Sequence, residues 1–103
     1  MAVVIPDLSS EVDVPRNGTL SRVMHQDDRM RLVLFAFDAG QELTEHRSAS
    51  AAIVQVVSGR LKFIASGETH DLQPGGWLYM SSGEDHALEA IEPTLMLLTL
   101  LRG

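Results

Sequence analysis

The residues whose types and spacing suggest chemistry in this chain are its histidines, with serines and carboxylates near them, since its 103 residues include no cysteine. Disulfides, thiolate metal sites and a cysteine nucleophile are thereby excluded, and a metal would rest on imidazole, carboxylate, amide or hydroxyl groups. His46 stands in a polar stretch with Thr44 and Ser48, and His86 follows Ser81-Ser82-Gly83-Glu84-Asp85. A neutral imidazole both donates and accepts a hydrogen bond and titrates near physiological pH, so such groups mark a pocket even where they bind no metal. Two imidazoles are also too few for a tight metal site, which carries three or four protein ligands. Read as an alternating strand, Glu42, Thr44, His46 and Ser48 share one face, which makes Glu42 a candidate third ligand. Ser48, Ser81 and Ser82 do not make a nucleophile set, since neither an activating third group nor an oxyanion hole can be placed around them. Asp85 adjoins His86, but neighbours on a strand point to opposite faces. His70 lies between polar residues and is expected to be exposed. His25 precedes Gln26-Asp27-Asp28 and is expected at a surface turn, its acidic pair solvated.

The elements that would position these residues are short strands. Residues 29–38 carry apolar side chains on both alternating faces, which predicts a strand covered on both sides. A polar segment over 42–48, an apolar one over 52–57 and an alternating one over 60–65 follow, the last closed by Ser66-Gly67 as a hairpin. Further strands are expected over 69–72, 77–80, 85–91 and 94–101, with Pro74-Gly75-Gly76, Ser81-Ser82-Gly83 and Pro93 as the breaks between them. Roughly eight to ten strands with turns about every 8–12 residues is the pattern of an all-β sandwich or barrel. Residues 1–19, with Pro6, Pro15 and Gly18, read as an irregular arm, and residues 20–103 as a single barrel domain. The large side chains Phe35, Phe37, Phe63, Trp77, Tyr79 and Met80 are expected to fill the interior or shape its pocket. Of β-strand 77–80, either Trp77 and Tyr79 or Leu78 and Met80 should face inward.

Hydrophobic residues at 45% and charged ones at 21% are the balance of a folded domain. A formal charge of −6 disfavours nucleic acid and anionic membrane surfaces as partners. The start of the chain lacks the basic n-region and long apolar run of a signal peptide, so a cytoplasmic location is expected.

Two stretches resemble the paired motifs of the cupin superfamily, whose members are double-stranded β-helix (jelly-roll) barrels. Gly40, five intervening residues, His46 and the closing Gly59 match the first motif in spacing, with Ser48 at its second histidine and Ala52 at its glutamate. Gly75, Gly83 and His86 match the second, with Ser81 at its proline and Ala90 at its asparagine. The resemblance is to small single-domain bacterial cupins of the RmlC-like kind. It implies a site inside the barrel, with His46, Ser48, His86, Met80, Trp77 and Tyr79 around a small-molecule pocket. It also implies a divalent metal (Zn, Fe, Mn or Ni) on His46 and His86, with Glu42 as the weaker candidate, where the ligand set is complete. Since Ser48 and Ala52 replace two ligands, the expected function is small-molecule binding without assigned catalysis. The alternatives are a metal-dependent enzyme of dioxygenase, isomerase or decarboxylase type, and a ligand-sensing regulatory module. The resemblance further implies a homodimer, which the surplus apolar surface of 30–37 and 95–101 supports.

Overall fold

The computed structural model describes residues 1–102, apart from the side chains of Glu45 and His46. Nine strands occur among the described residues: β1 (Thr19–Gln26), β2 (Met30–Phe37), β3 (Glu42–Arg47), β4 (Ala52–Ser58), β5 (Leu61–Ala65), β6 (Glu68–Leu72), β7 (Trp77–Met80), β8 (Asp85–Ala90) and β9 (Thr94–Leu101). They form two antiparallel sheets, one in the order β1-β2-β9-β4-β7 and the other β3-β8-β5-β6. This is the expected all-β jelly roll in one domain.

Alternation along the strands builds the core between the sheets. Phe37, Val54, Val56, Met80 and Met96 from the first sheet meet Leu61, Phe63, Leu88 and Ala90 from the second. The hairpin from β5 to β6 turns on Ser66 and Gly67, both at positive φ (49° and 81°), the conformation that a two-residue loop needs to match strand twist.

The second apolar face of β2 and β9 is covered within the chain. Leu34, Ala36, Leu95 and Leu97 form a separate cluster on the outer side of the first sheet, and Leu8, Val12 and Val14 of the N-terminal arm pack on it. A 3₁₀ turn, Leu8–Ser10, anchors the arm, with the Asp7 side chain accepting from the Ser9 amide. The Arg22 Nη1 donates to the Glu11 carbonyl at 2.9 Å, fastening the arm to β1. The doubly apolar strands therefore need no partner chain to bury their outer face.

Candidate functional site

His86 is placed by the start of β8. The Gly83 amide donates to the Ser48 carbonyl at 2.8 Å and the Ser66 amide to the Asp85 carbonyl at 3.0 Å, so the entry to β8 is tied to both β3 and the β5–β6 hairpin. The Glu84 carboxylate accepts from Ser81 Oγ at 2.8 Å and Ser66 Oγ at 3.1 Å. These hydrogen bonds, that of Ser81 foremost, hold Glu84 below the usual carboxylate range. On the outer face Arg47 pairs with Asp85 and lowers its pKa in the same way. The imidazole of His86 points inward, 8% exposed, and its ring stacks on Phe63 with centroids 5.9 Å apart. Its Nδ1–H donates to the Glu84 carbonyl at 3.2 Å, which sets the tautomer.

The ring lines two interior spaces. A deep one of about 50 Å³ is walled by Phe35, Phe63, Met80, Met96 and Leu98. A second of about 190 Å³ opens past Ser48, Arg47 and Ala52, with Met80, Leu98 and Leu100 as its apolar wall. Among the described residues the walls are thus largely apolar, with the imidazole of His86 inside and Ser48 and Arg47 at the mouth. Ser48, whose Oγ accepts from the Ser50 amide at 3.2 Å, lines this second space. His46 pairs in register with His86 across β3 and β8. Its side chain lies outside the described residues. Leu98 and Leu100 escaped the sequence reading, although the period-2 pattern of 94–101 carries them on the same face as Met96.

Two expectations are corrected. Glu42 is not on the site face. Leu43 pairs with Leu88 and His46 with His86, so three steps on β3 answer two on β8, and a β-bulge lies between them. The bulge reverses the alternation: Leu43 packs inward, while Glu42 is exposed opposite Glu89 on the outer face. Trp77 and Tyr79 do not line the barrel interior either. Their register against Gln55 and Ile53 of β4 puts them on the outward parity, at 58% and 51% exposure, whereas Leu78 and Met80 face Val54 and Ala52 in the core. His70, expected exposed, is half-buried opposite Phe63. His25 donates from its ring to Asp27 at 2.8 Å, and Asp27 also accepts from the Arg29 and Met30 amides, which makes the turn a closed hydrogen-bonded loop.

The family motif has an imidazole and a carboxylate where this chain has Ser48 and the fully buried Ala52, which carries no donor atom. Among the described residues no three His, Cys, Asp or Glu side chains come together as a metal-holding group. Structural and catalytic transition-metal sites take three or four protein ligands, and the side chain of His46 lies outside the described residues.

The carboxylates around this frame fix an acid response. Asp27 is lowered from 3.8 to about 2, first by His25 and then by the two amides, and Asp71 is lowered by Arg60. A carboxyl whose folded pKa is depressed adds stability above its unfolded pKa and loses it as pH falls through the folded value. The melting temperature should therefore drop as pH falls from 3.8 towards about 2. These groups are exposed, so the drop should be gradual and weakened by salt. A melting temperature that rises on acidification through that window would refute the assignment.

Among the described residues no helix is long and apolar enough to cross a membrane. No curated protein matches the chain. Solved structures do. A conserved protein of unknown function from Streptococcus pyogenes is 31% identical over 100% of this chain and 90% of its own, with a TM-score of 0.89. A cupin superfamily protein from Desulfitobacterium hafniense is 24% identical over 93% of this chain and 88% of its own, at 0.87. An RmlC-like cupin protein from Desulfovibrio desulfuricans shares the fold at 21% identity, covering 97% of each chain, at 0.86. The family described as the cupin domain matches residues 33–100, from β2 through β9. With the two-sheet jelly roll, the glycine spacing and His86 on the inner face, this match establishes that the chain belongs to the cupin superfamily, with a degenerate metal-binding motif.

Proposed function

We propose that this cupin is a binding protein that takes a small, largely apolar molecule inside the barrel, with no metal and no catalytic step. The observation that supports the reading is the described lining of the 190 Å³ cavity: Met80, Leu98 and Leu100 against the buried imidazole of His86, with Ser48 and Arg47 at the mouth. That volume is below the roughly 300–1,000 Å³ of sites for drug-sized ligands, so the ligand is small. An apolar wall favours an aliphatic or aromatic body, and the His86–Ser48 side favours one hydrogen-bonding group on it, since a polar group buried there needs a partner.

The protein acts in the cytoplasm as a homodimer in this reading. Support for the dimer comes from the tip of the arm, where Met1, Val3 and Val4 are exposed apolar side chains beyond the part that packs on the sheet. A second copy would cover them.

The test is a thermal-shift screen of small alcohols, carboxylic acids and amides, run on protein whose dimeric state has been checked by sedimentation. A ligand raises the melting temperature by an amount that grows with the logarithm of its concentration. The expected hit loses its effect in Ala52→Leu, which fills the cavity, and weakens in His86→Ala. A panel without hits, or a hit indifferent to Ala52→Leu, would sink the proposal.

A further inference from the structure

A second concavity, of about 430 Å³, lies between β6 and β7, the terminal strands of the two sheets. It shares no lining residue with the interior spaces around His86. Its polar lining includes Glu68, Glu84 and His70, and its aromatic lining is Trp77 and Tyr79. No lysine or arginine lines it among the described residues.

The composition of this crevice is specific. Trp77 and Tyr79, two residues apart on the last strand of a sheet, keep large aromatic surfaces in contact with solvent. Neither is needed for the core, which Leu78 and Met80 of the same strand complete. Exposed aromatic faces attract cations through the ring quadrupole, and tryptophan does so best. Two carboxylates share the crevice with them. Glu84 is fixed in place by Ser66 and Ser81, and Glu68 belongs to the β6 edge opposite Ala65. Negative charge beside aromatic faces, with His70 as the one basic side chain and no lysine or arginine among the described lining residues, favours a positive ligand over a neutral or anionic one. Leu72 and Leu78 also line the crevice, and this apolar share suits a cation wrapped in carbon rather than a metal ion.

We infer that the β6–β7 crevice is a binding site for a small organic cation of the quaternary ammonium class, held between Trp77 and Tyr79 with Glu68 and Glu84 as its counter-charges. A quaternary ammonium is weakly hydrated and sheds water more readily than a primary one. This separates a free ligand of this kind from the lysine of a partner protein.

Trp77 is the only tryptophan in the chain, so its fluorescence reports on this crevice alone. Choline is titrated into the whole protein, beside its uncharged isostere 3,3-dimethylbutan-1-ol and Nα-acetyl-lysine amide. The expected result is a saturable change in emission with choline, none with the isostere, and weaker binding of the lysine mimic. Glu68→Gln, at an exposed residue, and Glu84→Gln should each weaken choline by about 3- to 5-fold, the range of an exposed charge pair. Tyr79→Leu should weaken it by a similar factor of about 2 to 5 through the lost ring face. An equal response to the isostere, no saturation with choline, or undiminished binding in both carboxylate variants would overturn the site. Lysine-mimic binding as tight as that of choline would overturn the free-cation assignment.

Discussion

Phe63→Ala should destabilise the protein by about 3–5 kcal/mol, the usual cost of removing a buried phenylalanine and leaving a cavity. Phe63 is 1% exposed and sits in the centre of β5, between Leu88 on β8 and His70 on β6. Its ring is part of the core and also the surface on which His86 stacks. The substitution thus removes apolar burial and the support of the site imidazole together. For a domain of this size each kcal/mol moves the melting temperature by roughly 4–8 °C, so the variant should melt far below the parent or fail to fold at ambient temperature. Phe63→Leu keeps most of the volume and should cost less than half as much. Chemical denaturation of the two variants measures the difference. Equal small losses would mean that Phe63 does not support the core as described.

Gly59→Ala should be nearly as damaging, for a reason unrelated to burial. Gly59 has φ +86°, and a Cβ built on it would lie 2.3 Å from the Pro93 carbonyl oxygen and 2.6 Å from Thr94 Cα. These are backbone atoms at the entry to β9, locked by hydrogen bonds. Thr94 Oγ1 accepts from the Arg60 amide at 3.0 Å and donates to the Glu92 carbonyl at 2.7 Å, and the Ile91 amide donates to Arg60 at 3.0 Å. Alanine would meet both an unfavourable left-handed backbone and a clash that cannot relax without breaking this network, at a cost of about 3 kcal/mol or more. Gly40, at φ +83° with nothing within 4 Å of its virtual Cβ, is the control. There alanine meets only the backbone penalty, about 1–2 kcal/mol. Urea titration of both variants separates the two terms. Equal losses would show that the close approach at Gly59 is not what the motif glycine serves.

The legible parts of the fold were those carried by local pattern. The two apolar faces of β2, the buried strand after Pro93 and the Ser66-Gly67 turn all stand where the sequence puts them. β1 escaped, because the register shift between Val23 and His25 breaks the alternation that would have shown it. The bulge in β3 is likewise a property of its pairing with β8, and no local signal in residues 42–47 betrays that Glu42 has turned outward. The orientation of Trp77 and Tyr79 depended on which residues of β4 they face, a choice that alternation alone leaves open. The outer cluster was anticipated as surplus surface for a partner, yet the arm supplies Leu8, Val12 and Val14 from the same chain. Apolar patterning shows that a face is covered, and only the tertiary structure shows by what.

If the site around His86 receives an organic ligand directly, as proposed, the protein should carry no stoichiometric metal there. Elemental analysis of protein purified without chelator or affinity tag tests it, with His46→Ala and His86→Ala measured in parallel. The expected result is metal far below one ion per chain, unchanged in both variants. Near-stoichiometric metal that disappears in each variant would contradict it, because a further ligand would then have to complete a site that the described donors do not provide.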